Sequence, residues 1–248
     1  HSLSQFTLII DNQFLSNALI MLKEIGIEHS FSMASRQVAL QEGFLGRRWG
    51  LGLHLSATRS EIVIFFLPAL YEERVADWLI KRLELRVPGR GSLFAESAEV
   101  TIKSLVLYDE KKLNQLPALS RPALNYRLAS AIIPTGQADI IARSVLEPGF
   151  CVPVIFFGEG VGLRNKLGLI RITIPADKEI IWFLIPEAEL SLLSGIVIQA
   201  GKLFEPGQGI LFAGPVRAYS VNMHLYNDRA RHIASIDQII AVLDEIKG

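Results

Sequence analysis

Gly158, Gly160, Gly162 and Gly168 surround two cations, Arg164 and Lys166, in the stretch GEGVGLRNKLG. Glycine admits positive φ, so backbone N–H groups there can approach an anion and share its charge with a nearby guanidinium or ammonium. The chemistry such a loop offers is capture of a phosphate or a carboxylate. It is neither a P-loop nor a dinucleotide fingerprint: GEGVGL lacks GK[ST], and no helix-period segment follows at once. The plainer account, that the glycines only relieve a tight ribbon, fits the residues as well. A second long connection, 36–60, is glycine-rich and basic at its centre, with Arg47-Arg48-Trp49 at its tip. Cation and aromatic side by side suit a partner-docking loop; the alternative is a solvated loop with Trp49 tucked back. Part of 36–60 can also extend the flanking strands into a ribbon.

Covalent and metal chemistry find little support. The loops hold no Ser/His/Asp grouping, Cys–His pair or close pair of carboxylates. His224 and His232 are eight apart with no cysteine partner, which is a poor metal-ligand pattern. The single Cys151 excludes an internal disulfide, fits a reducing cytoplasm and reads as a core residue of CVPVIFF. We expect no catalytic residues and no metal. With 25 basic and 25 acidic residues the net charge is zero, so nothing in the balance points to nucleic acid. No stretch has the 18 or more apolar residues that a membrane-spanning helix needs.

The elements that must carry these loops occur twice. The segment 61–102 and the segment 179–219 both read apolar strand, helix, Pro-Gly-x-Gly turn, apolar strand. Phe65 answers Phe183, Pro68 answers Pro186, Gly91 answers Gly209 and Phe94 answers Phe212, each 118 positions on. Upstream, 6–27 matches 129–150 at a separation of 123, again strand, helix and stop glycine. Each half therefore reads βαββαβ, with its long connection between the second and third strands. The expected divisions are 1–103, a linker 104–127 with one short helical piece, 128–223, and a C-terminal helical tail 224–248. In that tail Ile236, Ile239, Ile240, Leu243 and Ile246 recur at helical spacing. EIVIFFL and EIIWFLI are apolar at nearly every position, as strands buried on both faces are. Either chains associate through these sheets, or the two units pack their sheets on each other within one chain.

This organisation resembles the nitrogen regulatory PII superfamily. The nearest form is the PII-like branch with a glycine-rich loop, then P-x-x-K-E-I, then V/I-P, then P-G-x-G-I-x-F-x-x-P-V. Those pieces stand here as GEGVG (158–162), PADKEI (175–180), Ile185-Pro186 and PGQGILFAGPV (206–216). The resemblance implies an α+β chain of two tandem ferredoxin-like units. It further implies a homotrimer, ligands held between neighbouring units, and a loop docking on a target protein, a membrane transporter among the candidates. Ser35-Arg36-Gln37 is similar to the Gly-Arg-Gln that holds phosphate and an oxo-acid at the base of the PII loop. The phosphate-contacting turn corresponds to Gly89-Arg90-Gly91 and Gly207-Gln208-Gly209. The turn lysine is missing from both copies, and the arginines after the last strand are replaced in VTIKSL and SVNMHL. An adenine nucleotide would therefore be left with the glycine backbone and Arg90.

The expected function is a non-catalytic, cytoplasmic signalling protein that binds a small anion and docks a loop on a partner. Its alternatives are an enzyme on a ferredoxin-like scaffold and a purely structural oligomerisation module. The expected second-half site joins the loop at Gly158 to Lys166 with the turn at Gly207 to Gly209. In the first half it uses Arg36, Gln37 and Arg90.

Overall fold

Asp11 ends the first strand because its carboxylate accepts the Gln13 N–H at 2.9 Å, which opens a 3-10 turn and then a helix. Pro68 and Pro186 begin the corresponding turns elsewhere, each leading into a helix. The computed structural model describes residues 2–42, 53–99, 106–117, 122–159 and 177–222. Its strands are β1 (Ser2–Asp11), β2 (Ser30–Glu42), β3 (Leu53–Pro68), β4 (Gly91–Glu99), β5 (Leu124–Pro134), β6 (Val154–Glu159), β7 (Asp177–Pro186) and β8 (Ile210–Ser220). Its helices are α1 (Leu15–Glu24), α2 (Glu72–Arg82), the short α3 (Glu110–Leu113), α4 (Ala138–Leu146) and α5 (Leu190–Ala200). The expected C-terminal helix lies outside the described residues.

The expectation of two tandem ferredoxin-like units, each with its own sheet, is overturned. All eight strands close into one antiparallel barrel in the order β1-β3-β2-β6-β7-β5-β8-β4. The two halves meet at two seams. At one, Arg36 pairs with Ile155 and Gln37 with Val154. At the other, Leu93, Phe94 and Ala95 pair with Ser220, Ala218 and Arg217 across a bulge. The seams are short beside pairings such as β1 with β3, which runs from Leu3↔Pro68 to Asp11↔Ser60.

Alternation explains the closure. On β1, Phe6, Leu8 and Ile10 face outward and pack with Leu22, Val75 and Leu79 under α1 and α2. Ile9 faces inward and joins Ile62, Phe94, Leu128, Leu184 and Val216 in a separate interior cluster. The second half repeats the outer layer with Ala131, Ile133, Ile181 and Phe183 under α4 and α5. Open sheets would leave the inner face wet. Closing the barrel removes it from water at about 2 kcal/mol for each large apolar side chain buried. Strands buried on both faces are thus explained inside one chain.

The 36–60 connection is largely ribbon. β2 and β3 pair out to Glu42↔Leu53, and Val38 and Leu40 cross onto the second half to pack beneath α4. Arg143 of α4 holds the ribbon by donating to the Leu53 carbonyl at 3.2 Å.

Candidate functional site

β2 alternates at the first seam and sends two neighbours to opposite places. Arg36 points outward and reaches into the second half, where Nη1 donates to Asp139 Oδ1 at 2.7 Å and Nη2 lies 3.7 Å from Glu179 Oε1. Glu179 is 4% exposed. Its Oε2 accepts the N–H groups of Gly136 and Ala138 at 2.8 and 3.0 Å. Those donors open α4, where unpaired N–H groups and the helix dipole favour negative charge. The place is built for an anion, and the chain's own Glu179 sits in it. Beside it, Gln137 Nε2 donates to Gln208 Oε1 at 2.7 Å, while Gln137 Oε1 is enclosed without a hydrogen-bond partner among the described residues.

Gln37 points inward and is 4% exposed. It accepts from Asn222 Nδ2 at 2.5 Å, and Asn222 Oδ1 in turn accepts the Gly89 N–H at 2.9 Å. The Asn222 N–H completes the knot by donating to Ser92 Oγ at 2.7 Å. Gln37 and the first Pro-Gly-x-Gly turn therefore do come together, but through a side-chain amide that fills the turn's free donor. Arg36 is not part of that group. Neither is Arg90, whose guanidinium donates to Glu84 at 2.9 Å and lies 4.1 Å over the Phe14 ring.

The two turns explain their glycines sterically. A Cβ on Gly91 would stand 2.1 Å from the Ile9 carbonyl oxygen, and one on Gly209 would stand 2.2 Å from that of Ile132. Each backbone approaches its neighbour strand too closely for any side chain. Gly89 and Gly207 instead adopt φ of 84° with open space around them, as a left-handed turn position requires.

Of the second-half loop, Gly158 is next to last in β6 and lies opposite Lys178, which pairs onward with Pro134 of β5. The turn before β8 is one strand further, so Gly158 and Gln208 stand three strand spacings apart, about 14 Å. Gly160, Gly162, Arg164 and Lys166, like Arg47, Arg48 and Trp49, lie outside the described residues.

A third polar group, unforeseen from local pattern, joins the halves at the β4–β8 seam. Glu72, at the start of α2, is 5% exposed. It receives Arg217 Nε at 2.5 Å, Arg217 Nη2 at 2.8 Å, the Tyr219 hydroxyl at 2.7 Å and the Ser4 hydroxyl. Arg217 also donates to Ser97 at 3.0 Å. Burial by itself would raise the Glu72 carboxyl, but the bonds from Arg217, Ser4 and Tyr219 outweigh it and hold it below its ordinary value. Nearby Glu96 accepts only a long bond of 3.4 Å from Gln5 Nε2 among the described residues, and burial raises it against the pull of Arg217. Burial, then Glu72, raises the Tyr219 phenol. Cys151 is half-buried with its thiol pushed up to about 12 by burial, which makes it inert at neutral pH.

Glu179 was visible only as a letter in the PADKEI motif. Asn222 and Glu72 carry no local signal, because their roles depend on residues more than 130 and 140 positions away. Among the described residues no group of three or more metal-ligating side chains gathers, and no described helix is long and apolar enough to cross a membrane.

No protein-family model matches this chain, and no curated protein matches it significantly. Among solved structures it is similar to the GlnK–ATP complex of B. subtilis, with 12% identity and a TM-score of 0.33 over 40% of this chain and 85% of that one. A likeness that slight carries no weight for function.

Proposed function

We propose that this chain is a non-catalytic regulatory protein in which a small carboxylate or oxo-anion competes with Glu179 for Arg36 and the N–H groups that open α4. The observation that supports this is Arg36 itself, which leaves the first half to meet a helix N-terminus and a buried carboxylate in the second. Displacing Glu179 would loosen β7 where it enters the glycine-rich segment, and so couple the anion to whatever that segment touches. In this reading Arg164 and Lys166 add charge beside the anion, Arg47, Arg48 and Trp49 contact a target protein, and the chain works as a homo-oligomer. A trimer would need a surface other than the inner sheet faces, which meet each other inside the barrel.

Thermal shift and calorimetry with bicarbonate, 2-oxoglutarate, acetate, AMP, ADP, ATP and cyclic nucleotides test the proposal. One charge-assisted contact is worth about 1.5–3 kcal/mol, so Arg36→Ala should weaken the bound anion roughly ten- to a hundredfold. If none of these anions binds, or if Arg36→Ala binds as tightly as the parent, the proposal fails. The second reading, a structural module, is favoured by the fact that Glu179 and Asn222 already satisfy the donors an anion would use.

A further inference from the structure

Where the Pro-Gly-x-Gly turn meets the start of α1 in one half and of α4 in the other, the same place is filled in two ways. In the first half Arg90 of the turn lies 4.1 Å over the Phe14 ring. The residues that answer these in the second half are Gln208 and Gln137. They meet amide to amide, Gln137 Nε2 donating to Gln208 Oε1 at 2.7 Å. A ring leaves no acceptor behind, whereas the amide leaves Gln137 Oε1 enclosed with no donor among the described residues. An acceptor in that state costs free energy that a phenyl ring in the same place does not, which points to a donor arriving from outside the chain. The helix starts differ as well. Asp11 caps the first from its own strand end by accepting the Gln13 N–H. Pro134 stands at the answering position, and the Gly136 and Ala138 N–H groups are held instead by Glu179 from β7.

We infer that the anion taking the place of Glu179 is a small hydroxy acid, with its carboxylate on Arg36 and the two N–H groups and its hydroxyl donating to Gln137 Oε1. This rests on the function proposed above and names the ligand class for that site. Gln137 stands between Gly136 and Ala138 in the chain, so its amide is tethered within one side-chain length of their N–H groups. A small acid with a hydrogen bond at each end covers that span. Gln208 is the positioning residue: by accepting from Nε2 it fixes which end of the Gln137 amide is enclosed. A bare carboxylate or an oxo acid brings no donor to Oε1. An ammonium does, but it sets a positive charge near Arg36 and buries it against a neutral amide. A hydroxyl is the donor that meets Oε1 without either cost.

Calorimetry on the full chain compares lactate with propionate and pyruvate, which share its carbon frame. Lactate should bind about three- to tenfold more tightly than either, the value of one neutral hydrogen bond. Gln137→Met keeps the bulk and removes the acceptor, so lactate and propionate should then bind alike. If that variant does not fold by circular dichroism, Gln208→Ala frees the amide to rotate and should cut the lactate preference while leaving propionate binding unchanged. A lactate preference that survives both variants would overturn the inference. So would alanine or pyruvate binding more tightly than lactate, the latter because the amide pair is then turned end for end and encloses an N–H. If acetate or propionate binds and lactate does so no better, the inference falls and the anion site stands. If no anion binds at all, both fall.

Discussion

Each seam of the barrel is clamped by an arginine that crosses from one half to a buried glutamate of the other, and the two clamps run in opposite directions. Arg36 of the first half goes to Glu179, whose remaining bonds are to backbone N–H groups. Arg217 of the second half goes to Glu72, whose remaining bonds are to the Ser4 and Tyr219 side chains. Neither clamp is repeated as a pair: the positions answering Glu72 and Arg217 hold Leu190 and Glu99, and those answering Glu179 and Arg36 hold Glu61 and Glu159, so only one glutamate is kept and no arginine. What the halves share is backbone geometry, seen in Gly91 and Gly209. What joins them arose separately at each seam. The β4–β8 clamp is made by side chains alone, while the β2–β6 clamp rests on the N–H groups of a helix terminus.

The largest effect should come from the shared feature. Gly91→Ala places a Cβ against the Ile9 carbonyl at a φ of 154°, and a loss above about 4 kcal/mol in chemical denaturation is expected, as for other severe backbone conflicts. A milder loss would mean that β1 and β4 can part at that point.

Glu72→Ala comes next. It strands Arg217 and costs roughly 3 kcal/mol, in the range for breaking one side of a buried pair. The pH profile separates this clamp from the other. Because the folded Glu72 carboxyl is held below its ordinary 4.5, the stability it contributes is present above that value and fades as pH falls through the lower folded value. Glu96, raised by burial, acts in the opposite sense, since its protonation favours the folded form. Acid melts of the parent and Glu72→Gln should therefore draw together as pH falls below 4.5 and converge only beneath the lowered folded value, where the parent has lost the clamp too. Curves that remain parallel would remove the carboxylate from the explanation.

Glu179→Ala should cost less, about 2 kcal/mol for the unsatisfied N–H groups it leaves, and added acetate should recover part of the loss. No recovery with acetate would make this clamp as closed as the other and weaken the case for an exchangeable anion.

Much of the local order was legible in the sequence and the closure was not. The stripe of Ala18 and Leu22, the stop at Gly26 and the turns at Gly89 and Gly207 follow from spacing and from φ that only glycine adopts readily. Local pattern does not say that Arg36 will lie beside Ile155, because strand edges carry no label for a partner so far along the chain. A resemblance that implied separate sheets pointed away from the barrel. Glu72 was hidden for a similar reason: acidic residues at a helix start usually face water, and it takes Arg217, Ser4 and Tyr219 to make its burial tolerable.

The distance along the chain between seam partners also bears on how the molecule is made. The hairpin of β2 and β3 can zip from Glu42↔Leu53 as soon as it is synthesised. Ala95, by contrast, must wait for Arg217, and Gln37 for Val154. Contacts that remote are entropically late and slow folding. A nascent first half would hold Ile9, Ile62 and Phe94 bare to water until Leu128, Leu184 and Val216 leave the ribosome. During that interval the chain presents an unfinished sheet with sticky edges, the form in which it would depend most on a chaperone.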